Sequence, residues 1–170
     1  TVVLREQVTS ILKNDENIFE LHTTSGQVHY SKTVIVSVGS GILDPKKLHI
    51  NELAYSEDML TNLHYSIPSL QHFKDKTVLI SGGGNSAIDW ANELESIAKQ
   101  VFIVCRNGDF TCHEAQATQL KKSSVVCLFN SQITDIITDT PHKIDQVALT
   151  NRQSGVVTQL PVDAVIVNHG

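Results

Sequence analysis

The 170-residue chain is 41% apolar and 18% charged, with 13 basic against 18 acidic side chains and a formal net charge of −5. The apolar share supports a buried core, and the negative balance argues against a nucleic-acid or anionic-membrane surface as the main function. Cys105, Cys112 and Cys127 form no C-x-x-C pair and the eight histidines show no metal-ligand spacing. With no apolar run of membrane length and no leader pattern at the start, the expectation is a cytoplasmic protein of a reducing compartment, without a metal site.

Residues 1–39 carry period-2 runs, REQVTSI and then IFELHTTSGQVHYSKTVIVSVGS, with Ser25-Gly26 as a hairpin turn between FELHT and QVHYS. VIVSVG (34–39) has the continuous apolar character of a buried strand. Residues 40–60, with Pro45 and several charges, have the composition of a linker. NLHYSIPSLQHF (62–73), interrupted by Pro68, has a turn-like pattern.

The pattern then changes. TVLIS (77–81) predicts a buried strand, GGGNSAIDWANELESIAKQ (82–100) a loop entering a helix, and VFIVCR (101–106) a second buried strand. A helix is expected over HEAQATQLKK (113–122) and a third strand over VVCLFN (125–130). KIDQVALTNRQSGVVTQLP (143–161) predicts two strands around Asn151–Gly155, and DAVIVNHG closes on another buried strand. This order predicts an α/β, Rossmann-like domain with a parallel sheet and a small antiparallel insertion. The chain starts at Thr1 and stops just after an apolar strand, so it is expected to be a piece of a longer polypeptide.

Gly82-x-Gly84-x-x-Ala87 matches G-x-G-x-x-G/A, in which each small residue has a physical task. Gly82 permits the tight turn, Gly84 lets a pyrophosphate approach the backbone, and Ala87 lets the helix lie close on the strands. Around them Gly83, Asn85 and Ser86 bring main-chain N–H groups to the helix start, where the dipole favours an anion. Close packing alone is the competing explanation of such a turn. At the second strand end, VCRNG has no carboxylate for a ribose 2′-hydroxyl, whereas Arg106 can pair with a 2′-phosphate or stand as a solvated charge. That leans toward NADP, with NAD possible. Asp89 either lines the site near the nicotinamide or solvates the helix, and Trp90 suits a core or domain contact. Nothing resembles a catalytic triad or paired carboxylates, so no catalytic residue is assigned.

The stretch TVLISGGGNSAIDWANELESIAKQVFIVCRNGDFTCHE resembles the pyridine-nucleotide domain of thioredoxin reductase-like flavoproteins, in particular ferredoxin–NADP reductases of that architecture. NLHYSI, TVIVSVGSG and DAVIVNHG extend the resemblance over nearly the whole chain. It implies that residues 1–40 are a β-rich piece of a flavin domain and residues 41–170 an NAD(P)H-binding domain. The parent would carry FAD, form a homodimer and pass electrons from NADPH to ferredoxin or flavodoxin. The excerpt alone would hold no FAD and transfer no electrons.

Two departures qualify the resemblance. NLHYSIPSLQHFKDK lacks the C-x-x-C of thioredoxin reductases, which favours a ferredoxin or flavodoxin acceptor. The family's H-R-R-x-x-x-R phosphate-reading pattern is here Cys105, Arg106, Asn107 and Thr111, leaving one arginine and two neutral donors. Each charge-assisted bond is worth roughly 1.5–3 kcal/mol, so poor discrimination between NADPH and NADH, or weak binding of both, is expected. His113 and Glu114 are expected at a helix start. A related flavoprotein with a disulfide or quinone acceptor, and a degenerate nucleotide-sensing module, are the alternative functions.

Overall fold

The computed structural model describes residues 2–37, 45–48, 50, 59–67 and 69–169. The chain divides into two compact units, Thr1–Leu43 and Asp44–Gly170. In the first, β1 (Val8–Lys13), β2 (Phe19–Thr23) and β3 (Val28–Ser31) form an antiparallel sheet in that order. The expected turn lies between β2 and β3, where Gly26 takes φ +83, a left-handed conformation that suits glycine. The strand expected over VIVSVG is corrected at its described positions. Residues 34–37 lie outside any strand, and Ile35 and Val36 are exposed. An apolar run becomes a buried strand only when a neighbouring strand and a covering layer meet it. Gly39 and the start of the expected linker lie outside the described residues.

The second unit is built on a five-stranded parallel sheet. Its order is β4 (Leu63–His64), β11 (Ala164–Val167), β5 (Thr77–Ser81), β6 (Gln100–Val104) and β7 (Val126–Leu128). Helix α1 (Asn85–Leu94) joins β5 to β6, and α2 (Glu114–Lys121) precedes β7. A second, antiparallel sheet of β8 (Ser131–Ile137), β9 (Gln146–Asn151) and β10 (Val157–Pro161) lies in the chain between β7 and β11.

Side chains alternate across the parallel strands, as a pleated sheet requires. Val78, Ile80, Val101, Ile103, Ala164 and Ile166 pack with Ile88, Ala91, Leu94 and Leu120 of the helices. Leu79, Val104, Val165 and Val167 pack instead with Ile133, Ile136, Val147 and Leu149 of the antiparallel sheet. The continuous apolar runs in the sequence follow from this covering of both faces. Trp90 packs against the helix-side core, as a core contact would.

Several sequence expectations need correction. The turn-like segment at 62–73 supplies β4 and a 3-10 turn, Leu70–Phe73. Asn62 Nδ2 donates to the Ile144 and Asp163 carbonyls at 2.9 and 3.0 Å, while its Oδ1 accepts from Ile144 N at 2.8 Å. These bonds tie the segment to both sheets. The helix after the glycines ends at Leu94 rather than running to 100, where Ile97 N returns to the Leu94 carbonyl in an i→i−3 bond that tightens the last turn. Strand β6 ends at Val104, leaving Cys105 and Arg106 in the following loop. Strand β8 carries no clear alternation in SQITDII, since its apolar positions slip at a register shift between Ile133 and Asp135.

Candidate functional site

The three glycines leave β5 at the carboxyl end of the parallel sheet, where a doubly wound fold places its ligands. Each has a different environment. Gly82 takes φ +157, and a Cβ there would lie 2.4 Å from the Asn168 carbonyl oxygen and 3.1 Å from Ala87 Cβ. A Cβ on Gly83 would meet Cys105 Sγ at 2.4 Å. Gly84, the N-cap of α1, would place a Cβ with nothing within 4 Å. Two glycines are therefore required by the fold, and the third keeps an open face at the helix start.

Helix α1 has no side-chain cap, and its first intrahelical amide bond runs from Ile88 N to the Gly84 carbonyl at 3.2 Å. The amides of Asn85, Ser86 and Ala87 precede that bond and have no intrahelical acceptor. The loop after β6 folds back beside the glycines: Thr111 N donates to the Gly83 carbonyl at 2.8 Å, and Gly84 and Thr111 form an isolated parallel bridge. Asn85 Oδ1 accepts from His113 N at 2.9 Å, joining the starts of the two helices. His113 is the N-cap of α2 and Glu114 its first residue, as expected for helix-start residues.

A cleft of about 340 Å³ opens at this strand end. Of the candidate residues, Gly82, Gly83, Gly84, Arg106, Asn107 and Thr111 line it. Asn85, Ser86, Ala87 and Asp89 do not. Ala87 is buried beneath Gly82, where its small side chain permits the close turn. Asp89 accepts a hydrogen bond from Gln116 Nε2, so its carboxylate holds α1 to α2. Among the described residues the cleft is lined by two basic side chains, Lys47 and Arg106, and by no carboxylate. In a chain of net charge −5 that local balance favours an anion.

The sequence reading missed Lys47, Gln132, Asn168 and His169 in the lining. Asn168 and His169 immediately follow β11, and His169 Nε2 lies 2.8 Å from Ser81 Oγ. Counting from the carboxyl ends of adjacent parallel strands would have found both. Lys47 comes from the linker-like segment, where no local pattern marks it. Cys105, Cys112 and Cys127 are all unpaired; Cys105 is buried, and burial raises the thiol pKa of the other two. No group of three or more His, Cys, Asp or Glu among the described residues could hold a metal, and no described helix is long and apolar enough to cross a membrane.

The fold and this turn define a class: Rossmann-like α/β domains with a glycine loop at the strand-to-helix junction. Residues 1–159 match the family model described as pyridine nucleotide-disulphide oxidoreductase, and the chain belongs to that family. It is 55% identical over 170 residues to "Ferredoxin--NADP reductase 1" of Oceanobacillus iheyensis, covering 100% of this chain and 48% of that protein. The protein of the same name from Bacillus licheniformis is also 55% identical, over 99% of this chain and 48% of its own length. Among solved structures, T. acidophilum thioredoxin reductase superposes with a TM-score of 0.68 at 26% identity, covering 97% of this chain and 52% of that one. Lactococcus lactis thioredoxin reductase shares the fold at the same TM-score and 22% identity, over 96% of this chain and 52% of its own. The chain thus spans about half the length of the curated relatives it matches.

Proposed function

We propose that the chain is the NADPH-binding portion of a flavin-dependent oxidoreductase that delivers electrons to ferredoxin or flavodoxin. The observation that carries this reading is the open face of Gly84, which directly follows two glycines that the fold needs for packing. Backbone and ligand can meet there without a Cβ between them. In this reading the amides of Asn85, Ser86 and Ala87 bind the pyrophosphate, helped by the α1 dipole. Arg106, Asn107 and Thr111 take the ribose end, with Arg106 on the 2′-phosphate. Lys47 adds positive charge to a cleft that no carboxylate lines among the described residues. Asp89 acts from behind, by fixing α2 through Gln116.

Bound NADPH supplies a hydride, and the parent's FAD would receive it. No residue of this chain is assigned to FAD, since its 170 residues hold no second glycine fingerprint. We assign residues 1–40 to the flavin domain of the parent and residues 41–170 to the nucleotide domain. Exposed Val2, Leu4, Ile35 and Val36 support that assignment, as apolar surface of this kind suits cover by further chain. The cysteine-free stretch NLHYSIPSLQHFKDK supports ferredoxin or flavodoxin as acceptor over a dithiol relay, and the name of the relatives, ferredoxin–NADP reductase, supports ferredoxin. A homodimeric parent in the cytoplasm completes the proposal.

Calorimetric titration of the protein with NADPH and NADH tests it. Binding is expected, and Gly84→Val should weaken it by about tenfold or more, the loss of one charge-assisted contact. The variant's melting temperature should stay close to that of the parent, because the added side chain projects into open space. A folded chain that binds neither nucleotide, or a Gly84→Val variant that binds as tightly, would sink the reading.

A further inference from the structure

The turn between β9 and β10 brings a second arginine to the strand end where only Arg106 was expected. Asn151 shapes that turn: its Oδ1 accepts from Gln153 N and Ser154 N at 3.0 and 2.9 Å, and its carbonyl accepts from Gly155 N at 2.8 Å. Gly155 takes φ +72, a left-handed conformation that costs glycine little. The turn is then pinned to the glycine-loop side of the sheet through Asn130. Arg152 N donates to the Asn130 carbonyl at 2.6 Å, and Asn130 N donates to the Asn107 carbonyl at 3.0 Å. Finally, Arg152 Nη1 donates to the Arg106 carbonyl at 3.3 Å.

A guanidinium is thereby held against the main chain of a cleft-lining arginine, although 46 residues separate the two in sequence. Arg106 and Arg152 are both exposed, and neither forms an ion pair with a carboxylate among the described residues. Arg152 spends one N–H on the Arg106 carbonyl and retains other donors of its planar fork. The Arg152 guanidinium thus lies at the main chain of the residue that carries the Arg106 side chain, and a phosphate dianion can accept from the remaining donors of both arginines.

We propose that Arg152, together with Arg106, binds the 2′-phosphate of NADPH and is a specificity-determining residue of the site. This rests on the nucleotide reading above and revises the discrimination expected from the sequence. The stretch after Arg106 reads Asn107-Gly108-Asp109-Phe110-Thr111 and holds no further arginine. The missing charge returns from a hairpin turn distant in sequence. A 2′-hydroxyl carries no charge for the pair to bind, so NADH gains nothing from Arg152.

The test is a titration of the protein and its Arg106→Ala, Arg152→Ala and Arg152→Lys variants with NADPH, NADH and 2′,5′-ADP. The wild-type protein should prefer NADPH. Arg152→Ala should weaken NADPH and 2′,5′-ADP by about tenfold or more, as expected for one charge-assisted phosphate contact, and leave NADH unchanged. Arg152→Lys should fall between the two, keeping a charge but losing the fork. Unchanged NADPH affinity in Arg152→Ala overturns the assignment. So does an equal weakening of NADPH and NADH, which would mean that Arg152 only holds the loop. A wild-type protein that binds neither nucleotide overturns the nucleotide reading itself and this assignment with it, an outcome distinct from the other two.

Discussion

The parallel sheet and the β1–β3 sheet are made of similar residues, yet they are buried to opposite extents. In β5, Val78, Leu79 and Ile80 have no exposed surface, whereas β1 is exposed at all six of its positions, with Leu12 at 55%. The difference lies in the layers. Helices cover one face of the parallel sheet and β8–β10 cover the other. The described residues of the first unit supply a single sheet with no layer of their own upon it. A strand-forming pattern therefore specifies a pleat and a pairing, while burial depends on what the rest of the polypeptide brings to each face.

The largest effect that bears on this contrast comes from truncating one leucine in each sheet. Leu79→Ala should lower stability by about 2–5 kcal/mol, through lost burial and a cavity that its packed neighbours fill poorly. Leu12→Ala should change it by less than about 0.5 kcal/mol, as at other exposed positions. Denaturant melts of the two variants measure both. A loss at Leu12 as large as that at Leu79 would mean that β1 is covered in solution and would erase the contrast.

A smaller loss is expected at Asn62, which bonds the β4 segment to the antiparallel sheet and to the start of β11. Replacing it with alanine leaves the Ile144 amide and two carbonyls without their partner, for a cost of about 2 kcal/mol. Asn62→Asp retains an acceptor for Ile144 N and loses both donations, so it should be no better than alanine. Thermal melts that show Asn62→Ala as stable as the parent would remove the clip from the account of the fold.

The smallest effect is a pH dependence centred on His64. Burial lowers its pKa below the ordinary imidazole value, with further lowering from His72 and Lys76. His72 stacks edge-on at 5.1 Å and Phe73 at 5.2 Å, and His64 Nε2 is buried without a hydrogen-bond partner among the described residues. Because the folded pKa lies below the unfolded one, the unfolded chain takes up the proton first. Stability should be unaffected well above pH of about 6.5 and should fall as pH drops from there through the folded pKa. His64→Phe should flatten that part of the profile. Equal slopes for the two proteins in denaturant midpoints between neutral and mildly acidic pH would contradict the assignment.

Much of the parallel sheet was legible in the sequence because its signals are local. TVLIS and AVIVN are continuous apolar runs, and GGGNSA combines a turn with a helix start within a few residues. Arg106 is legible for the same reason, since it follows the next strand on schedule, whereas Asn107 and Thr111 come only from the resemblance to the family's phosphate-reading pattern. Strand β8 escaped because its register shift breaks the alternation that marks a strand. The VIVSVG run was misjudged because its apolar character records a demand for cover, and the described chain does not meet that demand at Ile35 and Val36.

The glycine turn, the helix that follows it and the lack of further arginines just after Arg106 are set by short stretches of the chain. Each depends on residues only a few positions apart, within reach of a single backbone conformation. Tertiary structure alone decided that Gly82 faces the Asn168 carbonyl, that Asp89 is spent on Gln116, and that Arg152 reaches Arg106. Those pairs lie from 27 to 86 residues apart in sequence. They meet because parallel strands must be joined by long crossovers, which collect remote segments at one edge of the sheet.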